Sequence, residues 1–397
     1  MKKLFFLLLF LLVVLFSLIT IFDLKYLTKG ISSTYMIGKK SASIYDHKLF
    51  ETRDVVGSSA YNIPISKLYS KDFNKNKVDE LLISSKSNSF ILIKNDSIHI
   101  ENYWRGGGVD ILSNSFSIAK SIVSILIGCA IEDGFIESVD QNIDDFIPYI
   151  SNFNDSKPVK VKHLLSMSSG YDWFENYKRP ISVTAKAYYG DNINDLILSR
   201  NFIQDPGVSF SYQSGDTQLL GYLLEKATNH FVSDYASKVL WGPMGATNNA
   251  VWTLDKKNGT EKVFCCFNST ARDFLKIGIM LKNEGKINNN QILNKSYINW
   301  LLSIPELENI DKNSLFYKKK IEHYSNSWYL AKVLNKKIIY ARGYLGQYIV
   351  IIPDIDVVFV RLGEKDFNNG GIFDNKYYLS NELLYLIEQV IIKYSKT

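Results

Sequence analysis

The stretch Asn114-Ser115-Phe116-Ser117-Ile118-Ala119-Lys120-Ser121 constrains this chain more than any other. It contains the only Ser-x-x-Lys spacing in the sequence, Ser117-x-x-Lys120. Ile118, Ile122, Ile125, Leu126 and Cys129 follow at intervals that place them on one helical face. Asp133-Gly134 then supplies a stop, because Gly134 takes a left-handed C′ position without strain. With Ser117 in the first turn, Ser117 and Lys120 share a face. A lysine amine held neutral by burial or by neighbouring positive charge can accept a serine proton. The free N–H groups of a helix start favour developing negative charge. The same residues also suit an ordinary amphipathic helix, with Ser117 as its N-cap and Lys120 in water.

A second constraint lies at the N-terminus. Lys2-Lys3 precede Leu4–Phe22, in which only Ser17 and Thr20 are polar. As a helix this run is about 28 Å long, close to the hydrocarbon core of a bilayer. No small-residue cleavage pattern follows it, so an uncleaved anchor is favoured over a removed signal peptide in residues 1–24. The lysines put the N-terminus in the cytoplasm. The protein is then expected to be a single-pass protein of the cytoplasmic membrane, with the main domain periplasmic or extracellular.

Several classes are disfavoured. Of 397 residues, 46 are Lys or Arg and 40 are Asp or Glu, a scattered excess of +6 that gives no footprint for nucleic acid. Lys318-Lys319-Lys320 is the only tight basic run. Three cysteines set no disulfide framework, and the adjacent pair Cys265-Cys266 does not suit zinc. The five histidines are dispersed, so no metal is expected, and no cofactor. Gly106-Gly107-Gly108 fits no phosphate-loop spacing.

Residues 25–80 read as an N-terminal extension without nameable chemistry, and 81–397 as the main domain. Phe90–Ile93 and Ser97–Glu101 flank Lys94-Asn95-Asp96 as a hairpin. A helical subdomain is expected over about 138–300, with His163 as a packed or capping residue rather than a base. Ser327–Val333, Ile338–Ala341, Gln347–Ile352 and Val357–Leu362 read as strands, and Tyr378–Tyr394 as a final helix. Strands, helices, strands, helix is the order of an α+β fold in which a helical insertion divides one antiparallel sheet.

Ser117-x-x-Lys120, His163-Leu164-Leu165 with Ser168-Ser169-Gly170, Tyr212-Gln213-Ser214-Gly215, and Gly343-Tyr344-Leu345-Gly346-Gln347-Tyr348 before Pro353 occur in that order. Over about residues 80–365 the chain resembles the β-lactamase-related serine hydrolases. The branch it is most similar to holds class C β-lactamases, penicillin-binding-protein-like esterases and 6-aminohexanoate-oligomer hydrolases. The resemblance implies a β-lactamase/transpeptidase-like fold, with Ser117 as acylated nucleophile and Lys120 as its proton acceptor. It implies that Tyr212 protonates the leaving group and that Ser214 supports it. It places the oxyanion between the N–H groups of Ser117 and Tyr344. A phenol beside a cationic lysine is expected to have a lowered pKa.

One element departs from the pattern. Tyr340-Ala341-Arg342-Gly343 stands where the family often has K-T-G. Gly343 still permits close approach of a ligand. Arg342 either replaces the missing charge or points to solvent. Trp173, Tyr188 and Tyr189 are further pocket candidates. The expectation is a membrane-anchored serine hydrolase cleaving a small-molecule amide or ester with a small uncharged acyl group, and turning over β-lactams weakly. A slowly deacylating penicillin-binding or peptidoglycan-sensing module and a D-alanyl peptidase are the alternatives.

Overall fold

The computed structural model describes residues 2–59, 61–73, 76–148, 157–308, 322–366 and 379–395. The basic run at 318–320 lies outside the described residues.

The first helix, α1 (Lys2–Ile21), leads after three residues into α2 (Lys25–Ser33). Next come β1 (Thr52–Val55), β2 (Ile65–Ser70), α3 (Asn76–Ser84) and the hairpin β3 (Ser87–Lys94) and β4 (Ser97–Tyr103). A short β5 (Ser113–Asn114) runs into α4 (Ile118–Glu132). The middle of the chain carries α5 (Val161–Leu165), α6 (Val183–Tyr189), α7 (Ile193–Leu198), α8 (Ser214–Thr228) and α9 (Val232–Ala236). It continues with β6 (Ala250–Thr253), β7 (Phe267–Ser269), α10 (Ala271–Lys282), the hairpin β8 (Lys286–Ile287) and β9 (Asn290–Gln291), and α11 (Lys295–Leu301). The chain closes with β10 (Glu322–Tyr324), β11 (Tyr329–Val333), β12 (Lys336–Gly343), β13 (Gln347–Ile352), β14 (Val357–Gly363) and α12 (Asn381–Tyr394).

The main sheet has the order β10-β11-β12-β13-β14-β3-β4-β2. The last strand of the chain thus pairs antiparallel with the first hairpin, Phe359 opposite Leu92 and Val360 opposite Ile91. This is the divided sheet expected from the strand order. Its central strands are buried on both faces, which is why they read as nearly unbroken apolar runs. Alternate residues serve opposite layers. Ile91, Ile349, Ile351, Val358 and Val360 pack with α4 and α10. Phe90, Leu92, Val350 and Phe359 pack with Leu386, Ile387 and Val390 of α12.

The middle of the chain differs from an all-helical insertion. A second sheet, ordered β1-β6-β7-β5, runs through it. Trp252 and Phe267, on β6 and β7, meet edge to face with centroids 4.9 Å apart. Short strands of three or four residues leave too little alternation to be read from sequence. The 25–80 extension is woven into both sheets, with β1 antiparallel to β6 and β2 parallel to β4.

The structure does not bear out the anchor. Among the described residues no helix is long and apolar enough to cross a membrane. The α1 helix is a continuous 20 residues, but the side chains at 12, 15 and 16 lie outside the described residues. The spanning role therefore rests on sequence alone.

Candidate active site

The helix α4 is not an amphipathic surface helix. Every residue from Ile118 to Ala130 is buried, so the helix runs through the core and carries Lys120 inside with it. Gly134 takes the left-handed stop position at φ 77°. At the other end, Ser117 already has helical φ and ψ, and its hydroxyl makes no capping bond. That overturns the N-cap reading and leaves the hydroxyl available. The preceding Phe116 is forced to φ 47°, a conformation that costs a bulky residue roughly 1–3 kcal/mol. Its N–H donates to Asn114 Oδ1 at 2.9 Å, and its ring stands edge-on to Tyr344 at 5.4 Å. These contacts hold the turn that presents Ser117.

Lys120 is 2% exposed. Its Nζ donates to Ser117 Oγ at 3.3 Å, to Ser214 Oγ at 3.2 Å and to the Phe264 carbonyl at 2.7 Å. Burial drives its pKa down to about 8, against an opposing pull from the Glu175 carboxylate. About a tenth of the molecules then carry a neutral amine at pH 7. The helix start of α8 completes the group: Ser214 donates its N–H to Glu175 Oε2 and its hydroxyl to Glu175 Oε1, both at 2.8 Å. Trp173 Nε1 donates to the same carboxylate at 2.7 Å.

Tyr212 lies with its ring 5.1 Å from Lys120 Nζ and its phenol hydrogen-bonded with Ser117. The expected lowering of that phenol is overturned. Burial, reinforced by Tyr324, pushes its pKa well above the ordinary value, although the Ser117 bond and Arg342 pull the other way. Desolvation of a phenolate in this closed site outweighs those pulls. Tyr212 is therefore a proton donor at rest.

The end of β12 packs against the turn that carries Ser117. Gly343 comes so close to the nucleophile turn that a Cβ there would sit 2.0 Å from the Ser115 carbonyl oxygen. That approach brings the end of β12 against the residues just ahead of Ser117. Behind it, Gln347 Nε2 donates to the Tyr344 and Gly363 carbonyls at 2.9 and 2.7 Å. Arg361 Nη1 donates to the Leu345 and Gly346 carbonyls at 2.9 and 2.7 Å. Arg342 neither reaches solvent nor lines the cleft: it is 6% exposed, and its Nη2 donates to Asp366 at 3.1 Å.

A cleft of about 300 Å³ opens beside Ser117, with Tyr188 and Tyr189 in its wall. Trp173 is buried beneath, stacked on Tyr171. His163 is a local cap: its Nδ1 accepts the Lys160 N–H at 3.0 Å, and burial holds its pKa down at about 4. Cys265 and Cys266 form a disulfide, which joins neighbours and so ties no two elements together. Among the described residues no group of three His, Cys, Asp or Glu side chains gathers to hold a metal.

Sequence reading missed Glu175, Tyr177 and residues 26–42. Tyr177 hydrogen-bonds Glu175 and Ser214 and stacks on Tyr344 at 6.3 Å. Neither belongs to a periodic or motif-bearing stretch; nearness to Trp173 was the only signal.

The beta-lactamase family model matches residues 87–381, which contain every group of this constellation. The chain belongs to the beta-lactamase family. Within it the chain is 21% identical, over 298 residues, to the 6-aminohexanoate-dimer hydrolase of Paenarthrobacter ureafaciens, covering 72% of this chain and 74% of that protein. A putative 6-aminohexanoate-dimer hydrolase from Bacillus anthracis superposes with a TM-score of 0.70 at 20% identity, covering 88% of this chain and 93% of that one. A penicillin-binding protein from Bacillus halodurans superposes at 0.58 and 15% identity, covering 79% and 99%. The two structures are like this chain in fold. The family match, together with the hydrolase relative, makes this chain a serine hydrolase.

Proposed function

We propose that this chain is a membrane-anchored serine hydrolase that cleaves an amide or ester through an acyl-Ser117 intermediate. The observation that carries the reading is the convergence of Ser117 Oγ and Ser214 Oγ on a fully buried Lys120 amine with a pKa near 8. In the acylation step the neutral amine takes the Ser117 proton as Oγ bonds to the carbonyl carbon. The N–H groups of Ser117 and Tyr344 hold the oxyanion. As the tetrahedral centre collapses, Tyr212 gives its proton to the leaving nitrogen or oxygen and is reprotonated from Lys120. Water then attacks the acyl carbon, loses its proton to the same relay, and Ser117 leaves with a proton returned. Ser214 and Glu175 fix the amine between its two partners.

Membrane attachment is supported by Lys2-Lys3 and the Leu4–Phe22 run. The same residues support a hydrolase domain on the far face of the membrane from the cytoplasm. The catalytic reading is tested by fluorophosphonate labelling and peptide mapping of the modified serine. Label is expected on Ser117 and lost in Ser117→Ala; label surviving on another serine removes the assignment. The attachment is tested by carbonate extraction, where release of a soluble form beginning near residue 24 shows a cleaved signal instead.

A further inference from the structure

One wall of the cleft comes from outside the family-matched span. Tyr26, Gly30, Ile31 and Tyr35 line, with Phe116 and Tyr344, the cleft that contains Ser117. This wall is fixed to the domain. Tyr26 is 7% exposed, and Lys29 Nζ donates to Asp191 Oδ1 at 2.9 Å and to the Asp255 carbonyl at 3.0 Å. Gly30 lies against the Tyr189 ring, where a Cβ would sit 3.3 Å away.

The cleft also has a direction. Lys120, Tyr212 and Ser214 are absent from its lining. The leaving group takes its proton from Tyr212, so it lies on the Tyr212 side of the scissile bond. The cleft is on the other side and receives the acyl portion.

The charge is one-sided. The lining carries Lys40, Lys178 and Arg179 and contains no Asp or Glu. All three cations are exposed at the rim. Two carboxylates stand behind the lining: Glu175, occupied by Ser214 and Trp173, and Asp46, which accepts from Tyr188 and pairs with Lys39. An acyl chain ending in an ammonium group meets like charge here, whereas one ending in an anion meets complementary charge.

We propose that residues 26–42 are the specificity-determining wall of an acyl site that takes an apolar chain ending in an anionic group, and that disfavours a cationic end. This replaces the uncharged acyl group expected from sequence, and it rests on the reading of Ser117 as nucleophile.

The test uses the full chain in detergent micelles with three p-nitrophenyl esters of equal chain length. They are the hexanoyl ester, the adipoyl half-ester and the 6-aminohexanoyl ester. Their chains end in a methyl, a carboxylate and an ammonium group. The adipoyl ester is expected to exceed the aminohexanoyl ester in kcat/KM by about 10-fold, the scale of one favourable charge contact. The combined variant Lys40→Gln, Lys178→Gln, Arg179→Gln should collapse that ratio, and a ratio that stays at about 10 in this variant overturns the charge assignment. Ile31→Trp, which fills the wall, should lower turnover of the hexanoyl ester relative to the acetyl ester. Equal or faster turnover of the aminohexanoyl ester overturns the charge assignment. An unchanged hexanoyl-to-acetyl ratio in Ile31→Trp overturns the wall. If all the esters fail while fluorophosphonate still labels Ser117, the acyl site falls and the hydrolase reading stands; if labelling fails too, both fall.

Discussion

Replacing Lys120 with Met should abolish activity and change how stability depends on pH. The wild-type amine titrates near 8 in the folded chain and at 10.5 when unperturbed. Below pH 8 both states are protonated, and the folded chain bears the full cost of burying the charge. Between 8 and 10.5 the unfolded chain holds a proton that the folded one has lost, so stability rises with pH over that window. Above 10.5 both are neutral and the cost is gone. The interval of 2.5 corresponds to about 3 kcal/mol at 1.36 kcal/mol per unit. Lys120→Met has no such titration, so the wild-type stability should gain about 3 kcal/mol relative to the variant between pH 7 and 10.5. At pH 7 the Met variant escapes that cost but leaves the Phe264 carbonyl without its 2.7 Å donor. An unpaired buried acceptor costs about 1–3 kcal/mol, so the two chains should be nearly equal in stability there. Urea unfolding followed by tryptophan fluorescence at half-unit pH steps measures the difference, and other titrating groups cancel between the two proteins. Parallel stability curves, within about 1 kcal/mol across the range, refute a depressed Lys120.

Wild-type kcat/KM should rise as pH increases through about 8, because the neutral amine is the base. Glu175→Gln should move that inflection downward, since the carboxylate is what holds the pKa up; an upward move contradicts the electrostatics. Tyr212→Phe should lower kcat by at least ~10², and its combination with Lys120→Ala should be far less than additive, as for two members of one relay; near wild-type activity of Tyr212→Phe removes the phenol from the mechanism. Nitrocefin should be turned over more slowly than a short-chain ester in a paired assay. A β-lactam carries its carboxylate on the leaving-group side, away from the rim cations, and Arg342 is committed to Asp366. Arg272→Met should destabilise the chain by about 3 kcal/mol in urea melts, because it strands a buried carboxylate: Arg272 Nε and Nη2 donate to the two oxygens of Glu101 at 2.6 and 2.7 Å.

The core strands were legible because a strand buried on both faces writes itself as a local apolar run. Gln347–Ile352 was read with its observed bounds. The final helix kept its 3.6-residue pattern and the α4 stop kept its glycine for the same reason: each is fixed by neighbours in sequence. Ser117, Lys120, Tyr212 and Ser214 were named through short motifs, which record local geometry at two separate places. What brings those places together is tertiary. Lys120 meets Ser214 across 94 positions and Phe264 across 144. Its pKa depends on how fully α4 is enclosed, and a surface helix with the same local spacing would have left the amine in water. Tyr212 shows the limit most clearly, since its motif survives while the direction of its titration is set by burial that no neighbouring residue encodes. Glu175, the Asp366 partner of Arg342, and the wall at 26–42 carried no periodicity or motif at all. Local order is written in the chain because it depends on residues a few positions apart; electrostatics and cleft shape depend on which distant surfaces exclude water, and only the assembled fold decides that.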